Sequence, residues 1–136
     1  MSGTPTVYVD TSALGALLVA QAQTESLVEW LDQGGATLVS SDLLETELRR
    51  MAVREGRDQA KVTALLDGVA LAALDRATYR SAGLLPMPNL RTLDALHLEA
   101  AMRLDVDAIL TYDRRLADAA AVAGLDVIAP GADQAL

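Results

Sequence analysis

The chain has 136 residues and a formal net charge of −8; half of it is hydrophobic, yet it holds no Phe and one Trp, so Ala, Leu and Val must fill the core of one domain. With no cysteine and one histidine, disulfides, thiolate zinc sites, a cysteine nucleophile and His-rich metal centres are excluded, and any metal has to be held by oxygen, which points to Mg²⁺ or Mn²⁺. The acidic balance also argues against a general nucleic-acid binder, whose footprint is usually basic.

The first predicted element is a short buried strand, Val7-Tyr8-Val9, which runs into Asp10 and the hydroxyl pair Thr11-Ser12. Thr11 or Ser12 can cap the helix that follows from Ala13. Asp10 then stands at the carboxyl end of a strand, where open α/β sheets place their ligands. It could equally be a cap or turn residue, and the stretch alone leaves both roles open. The N-terminus lacks a basic segment followed by a long apolar run, so the sequence predicts neither a signal peptide nor a membrane span, and a cytoplasmic protein is expected.

A second helix is predicted over 24–32, ended by Gly34-Gly35, and a second strand over 36–40. Ser41 or Asp42 caps a long helix over 43–54, with Glu45 placed for its first turn. Arg49, Arg50, Arg54, Arg57 and Lys61 put five of the eleven basic groups into one short segment. They are either a solvated helix face or a phosphate-contacting stripe beside an acidic site. A helix over 58–66, a short third strand over 69–74 and a helix over 75–82 follow. Pro86 and Pro88 then mark residues 83–89 as a loop.

Thr92 is expected to cap a helix over 93–104, with a strand over 106–111 and a helix over 114–123 after it. Residues 126–129 make a last strand, and Pro130-Gly131 opens a polar tail over about 130–136. No internal repeat or linker interrupts the pattern. Strands alternating with helices predict an α/β fold, a parallel sheet of four to five strands covered on both faces.

Four carboxylates fall where this layout can gather them. Asp10 and Asp113 sit at the carboxyl ends of strands, Glu47 about one turn into a helix, and Asp94 in the first turn of another. Each has a bland reading as a cap or surface acid, and Glu45 rivals Glu47. Asp94, however, lies in the otherwise apolar turn Leu93-Asp94-Ala95-Leu96-His97-Leu98, and carboxylates are rarely buried unpaired. Two carboxylates about 4 Å apart repel by roughly 1–4 kcal/mol at effective dielectrics of about 80 to 20. Four together need protons, an arginine or a divalent cation. Mg²⁺ takes oxygen ligands and keeps several waters, one of which can attack a phosphodiester.

These residues resemble a known family. The segment beginning Val7-Tyr8-Val9-Asp10-Thr11-Ser12, then Ser41-Asp42-Leu43-Leu44-Glu45-Thr46-Glu47-Leu48, the turn around Asp94, and Thr111-Tyr112-Asp113-Arg114-Arg115-Leu116 look like the four motifs of PIN-domain ribonucleases, above all the VapC-type toxins of bacterial toxin–antitoxin pairs. The likeness extends through Gly124-Leu125-Asp126-Val127-Ile128-Ala129-Pro130 and so covers essentially the whole chain. It implies a three-layer α/β/α fold, Mg²⁺- or Mn²⁺-dependent endoribonuclease activity on RNA, inhibition by a cognate antitoxin and a common tendency to dimerise. Asp10, Glu47, Asp94 and Asp113 match the family's acidic quartet, Glu47 being preferred to Glu45 for its spacing from Ser41.

Thr11, Ser12 and Thr111 match polar positions near the metal or scissile phosphate. Arg50 and Arg54 project from roughly the Glu47 face and are candidate RNA contacts, and Arg91 either neutralises the quartet or touches RNA. His97, among apolar neighbours, is read as a packing residue rather than a catalytic one.

Other readings fit less well. A haloacid-dehalogenase-type phosphatase needs a second acid where Ser12 stands, and a response-regulator receiver needs paired acids after the first strand and a lysine near the end, whereas Lys61 is the only lysine. Neither a Gly-x-Gly-x-x-Gly nor a P-loop pattern occurs. The competing reading from another class is a PIN-like RNA- or protein-binding module that does not cleave, against which the intact quartet argues.

Overall fold

A computed structural model of the protein describes residues 3–132. Five strands, β1 (Thr6–Val9), β2 (Thr37–Ser41), β3 (Ala70–Ala72), β4 (Ala108–Leu110) and β5 (Asp126–Ile128), form one parallel sheet in the order β3-β2-β1-β4-β5. The chain enters at the centre, builds outward through β2 and β3, then returns to β1's other side for β4 and β5. The strand order therefore reverses between β1 and β4, and the crevice at their carboxyl ends is where such sheets bind ligands. Tyr8 pairs with Val39 of β2 and Ile109 of β4, so the segment that ends in Asp10 is held from both sides.

Among the described residues, seven helices cover the sheet: α1 (Thr11–Leu18), α2 (Thr24–Asp32), α3 (Asp42–Glu55), α4 (Gln59–Leu66), α5 (Arg76–Gly83), α6 (Thr92–Arg103) and α7 (Arg114–Val122). The period-two alternation of the strands assigns them to two layers. Val7, Val9 and Leu110 pack with Leu14, Leu18, Leu27, Leu44, Leu48 and Val62, which belong to α1 to α4. Tyr8 and Ile109 face the other way, onto Leu98 and Ala101 of α6 and Leu116 and Ala120 of α7. The result is the three-layer α/β/α arrangement, with five strands in its sheet. Leu44 and Leu48 are fully buried, and removing each from water contributes about 2 kcal/mol to holding α3 against the sheet.

The start of α1 lies against α3. A Cβ on Gly15 would come 2.7 Å from Met51 Cε and 3.0 Å from its Sδ, the flexible end of that side chain. One turn earlier, Thr11 Oγ1 reaches Glu47 Oε1.

Local details differ from the sequence reading. Asp10, not Thr11 or Ser12, caps α1: its Oδ1 accepts the Ala13 N–H at 3.2 Å, while Thr11 is already helical and its hydroxyl is engaged by Glu47. Thr92 is the first residue of α6 rather than its cap; Arg91 occupies the cap position with no side-chain hydrogen bond. The six-residue run predicted as the third strand keeps only Ala70–Ala72, the length that finds partners on β2.

The expected polar tail begins by folding back. Tyr112 Oη donates to the Pro130 carbonyl at 2.7 Å, Gly131 adopts φ +84° where a Cβ would meet Ser26 Oγ at 2.7 Å, and Ala132 is buried. The rest of that tail lies outside the described residues. Among the described residues, no helix is long and apolar enough to cross a membrane.

Candidate active site

Asp10 lies one residue past β1, its N–H donating to the Leu110 carbonyl of β4 at 3.2 Å. The side chain is only 3% exposed. Oδ1 accepts from Ser12 Oγ at 2.8 Å and from the Ala13 N–H; Oδ2 accepts from Thr111 Oγ1 at 2.9 Å. Burial raises the carboxyl to about 6, against the lowering influence of the Ser12 bond, the His97 charge, the Thr111 bond and the Ala13 N–H. No lysine or arginine pairs with it among the described residues. An ion so deeply placed, bonded only to neutral donors and the helix start, is short of positive charge.

Ser12 and Thr111, expected near the metal or the scissile phosphate, both brace Asp10. Ser12 Oγ also accepts the Tyr112 N–H at 2.8 Å, and Thr111, 1% exposed, accepts the Asp113 N–H at 3.0 Å. Each hydroxyl proton is therefore spent on Asp10. Asp113 caps α7, accepting the Leu116 N–H at 3.1 Å, and is partly exposed.

Asp94 stands half-buried in the first turn of α6, and its carboxyl accepts no hydrogen bond among the described residues. Its pKa is raised, first by burial, then by the Asp113 and Glu47 charges, with His97 and Arg91 pulling the other way. Asp94, Asp113 and Glu47 thus feel one another across the carboxyl edge of the sheet. Arg91, exposed at the head of α6, is near enough for its charge to oppose the rise at Asp94.

Glu47 and not Glu45 faces this edge. Glu45 lies on the other flank of α3, bound by Arg49 Nε at 2.8 Å, while the same guanidinium reaches Gln59 and Thr63 of α4. Glu47 Oε1 accepts Thr11 Oγ1 at 2.6 Å and lies 2.6 Å from His97 Nε2. Burial would raise its pKa, but the His97 and Thr11 bonds and the His97 charge outweigh it, and the carboxyl sits below its ordinary value. An ionised Glu47 only accepts, so His97 Nε2 carries the proton of their bond.

His97 is buried among apolar side chains, as a packing residue would be, but both ring nitrogens are engaged. Nδ1 is 2.7 Å from Tyr8 Oη, which donates to Ser41 Oγ at 2.9 Å. Burial pushes the Tyr8 hydroxyl up to about 12, opposed by side-chain hydrogen bonding with Ser41 and Ser40 and helped by the Asp10 and Glu47 charges. Tyr8 went unmarked in the sequence. Its one signal was that a tyrosine inside a buried strand needs a partner for its hydroxyl.

Of the basic stripe, Arg49 is tied down within α3 and α4. Arg50 and Arg54 are exposed and make no ion pair among the described residues. The remaining question is the metal. Among the described residues no three acid or histidine side chains stand together as a ready-made metal cage. Mg²⁺ and Mn²⁺ do not demand one: Mg²⁺ uses one or two carboxylates, keeps waters and shares substrate phosphates. An all-oxygen set of acids, one of them buried with no lysine or arginine partner among the described residues, fits such an ion.

The family model for the PIN domain matches residues 7–122. Ribonuclease VapC35 of Mycobacterium tuberculosis is 38% identical over 92% of this chain and 97% of its own length, and ribonuclease VapC46 of the same species is 39% identical over 91% and 97%. Among solved structures, the VapC20 sarcin–ricin-loop-cleaving toxin of M. tuberculosis superposes with a TM-score of 0.71 at 16% identity, covering 83% of this chain and 94% of that one. VapBC2 of Rickettsia felis, bound to a promoter DNA fragment, gives 0.73 at 12%, covering 92% and 98%. At such identities the superpositions speak for the fold alone.

Proposed function

The chain belongs to the PIN domain family, and from that premise we propose that it is an endoribonuclease that uses Mg²⁺ or Mn²⁺ to hydrolyse RNA phosphodiester bonds, as the toxin of a toxin–antitoxin pair. The observation that carries this reading is the acidity at one sheet edge: Asp10 buried with no lysine or arginine partner among the described residues, and Asp94 raised by burial and by Asp113 and Glu47. Such a group is held in its charged form at a cost that a bound cation would offset.

Asp10, Asp94 and Asp113 would hold the ion, with Glu47 directly or through water. When bound, it supplies Lewis-acid stabilisation of the charge that develops on the phosphate and lowers the pKa of a water. Glu47, held below its ordinary pKa, is ionised at neutral pH and can accept a proton at Oε2, since both of its observed bonds fall on Oε1. Arg50 and Arg54, exposed on the Glu47 side of α3, and Arg91 at the head of α6 are the cations placed to grip phosphates near the cut. A cognate antitoxin, a homodimeric state, a single PIN-like domain spanning the chain and a cytoplasmic setting complete the reading. The names of solved relatives support the antitoxin, since one is a toxin–antitoxin complex from Klebsiella pneumoniae.

The test is cleavage of RNA by purified protein with Mn²⁺, with EDTA, and in Asp10→Asn and Asp94→Asn, paired with calorimetric titration of Mn²⁺. The expected result is metal-dependent cutting, lost in both variants, with metal affinity reduced in both. Unchanged metal affinity in the two variants, or cutting that survives EDTA, overturns the metal site. Metal binding without cleavage of any RNA would make the protein a non-cleaving PIN module.

A further inference from the structure

A line of hydrogen bonds crosses the carboxyl edge of the sheet from one helical layer to the other. It runs from Ser41 Oγ to Tyr8 Oη at 2.9 Å, from Tyr8 Oη to His97 Nδ1 at 2.7 Å, and from His97 Nε2 to Glu47 Oε1 at 2.6 Å. Ser41 and Tyr8 are fully buried and His97 is 2% exposed. The imidazole meets the Tyr8 ring edge-on, with centroids 5.6 Å apart and planes at 71°, so the ring is fixed by contact as well as by both nitrogens. If filling space were the whole role, apolar residues would do it without leaving polar atoms to satisfy.

What the line achieves is visible at its end. Two donors, Thr11 Oγ1 from α1 and His97 Nε2 from α6, fall on the same carboxylate oxygen of Glu47. Oε2 has no protein partner among the described residues, while the side chain retains 24% exposure. Holding one oxygen from two elements fixes the torsions of a long, flexible side chain before any ligand arrives.

We propose that His97 is a positioning residue, itself aimed by Tyr8, that pins Glu47 Oε1 and thereby presents Oε2 to the cation and the scissile phosphate. It rests on the reading of Glu47 as part of the acidic site. It assigns His97 no contact with RNA and no proton transfer to it. Partners in this outer layer typically alter metal affinity or activity tenfold to about a hundredfold when removed. Tyr8 acts one bond further away, so its removal should have the smaller effect of the same kind.

The experiment uses the full chain with Mn²⁺ alone as probe, then RNA. His97→Phe keeps a flat ring and loses both nitrogens; His97→Gln restores an amide donor near the Nε2 position; Tyr8→Phe leaves the imidazole but removes its anchor. Calorimetric Mn²⁺ affinity, metal-free Tm, and kcat and KM for RNA cleavage are measured for each. His97→Phe is expected to bind Mn²⁺ about tenfold to a hundredfold more weakly and to lose kcat with KM for RNA little changed. His97→Gln should recover most of both, and Tyr8→Phe should fall between Phe and wild type.

If His97→Phe does not fold, the Tyr8→Phe and His97→Gln pair carries the test. Wild-type Mn²⁺ affinity and kcat in Tyr8→Phe and in a folded His97→Phe, with only Tm lowered, overturns the proposal and leaves the nuclease reading standing. The converse, Mn²⁺ affinity that depends on His97 in a protein that cuts no RNA, overturns the nuclease reading and leaves the positioning role intact.

Discussion

Asp10 holds a buried charge with neutral donors, and the consequence is a stability that depends on pH in an unusual direction. Its carboxyl rises from 3.8 to about 6 on folding because it is buried. Between those values the folded, metal-free protein holds a proton that the unfolded chain does not, so stability increases as pH falls through that window. A shift of about two units corresponds to roughly 3 kcal/mol between the two ends. Asp94 has the same sign. Glu47 has the opposite one, since its pKa is lowered, but what it contributes is lost only further down, as pH falls through its depressed folded value.

In EDTA, then, Tm should be higher at pH 5 than at pH 7. Asp10→Asn should flatten that dependence and raise the pH 7 value, and Asp94→Asn should leave metal-free stability unchanged or slightly raised. Added Mg²⁺ at pH 7 should stabilise wild type and not Asp10→Asn. Scanning calorimetry across pH decides it, and a wild-type Tm that climbs from pH 5 to 7 contradicts the assignment. At this scale the acids were legible in the sequence because strand and helix ends announce themselves by local pattern. The partners of Glu47 were not, because Thr11 lies 36 residues before it and His97 50 after it, and they meet only when α1, α3 and α6 pack.

Two of the acids also serve as helix caps, so each helix start is built into the site. Asp10 opens α1 and Asp113 opens α7 through their own carboxylates. This dual use separates structural from chemical effects. Asn caps about as well as Asp, whereas Ala forfeits roughly 1 kcal/mol. Asp113→Asn should therefore keep Tm near wild type while losing RNA cleavage, and Asp113→Ala should lose cleavage and several degrees of Tm together. Equal melting of the two variants, measured by circular dichroism, would show that the cap contributes nothing.

The elements themselves followed from periodicity, Gly and Pro positions, and the alternation of strand and helix. Where the reading slipped, a tertiary contact had overruled a local preference. Thr11, Thr92 and Ser12 all looked like better caps than their neighbours, yet Thr11 and Ser12 are engaged by Glu47 and Asp10. The residues after β5 looked like a solvated tail until Tyr112 and Ser26 gave them a surface to pack on.

Across the whole molecule, a net charge of −8 sets how this protein must approach a polyanion. Affinity for RNA without regard to sequence comes mostly from neutralising phosphates, so an acidic nuclease should bind bulk RNA weakly and depend on a few local cations. The stripe on α3 is smaller than its sequence suggested, because Arg49 is held by Glu45, Gln59 and Thr63 and faces α4. Arg50 and Arg54 remain, exposed, three and seven residues beyond Glu47 and thus on its flank, the farther one about 10 Å along the helix axis. That distance is one to two nucleotides of extended strand, so the pair is suited to phosphates beside the cut and not at it.

Replacing both with alanine on an Asp10→Asn background, which prevents cleavage, should weaken RNA binding several-fold at low salt. For a single strand, the slope of log affinity against log salt should shrink by about 1.4, or roughly 0.7 per lost phosphate contact. Because neither guanidinium touches the acids, Mn²⁺ affinity of the Arg50→Ala/Arg54→Ala protein with Asp10 restored should match wild type. Fluorescence anisotropy over a salt series gives the slope directly. An unchanged affinity and slope would make this flank a solvated face and place the RNA path at the other end of the acidic edge, past Arg91 at the head of α6.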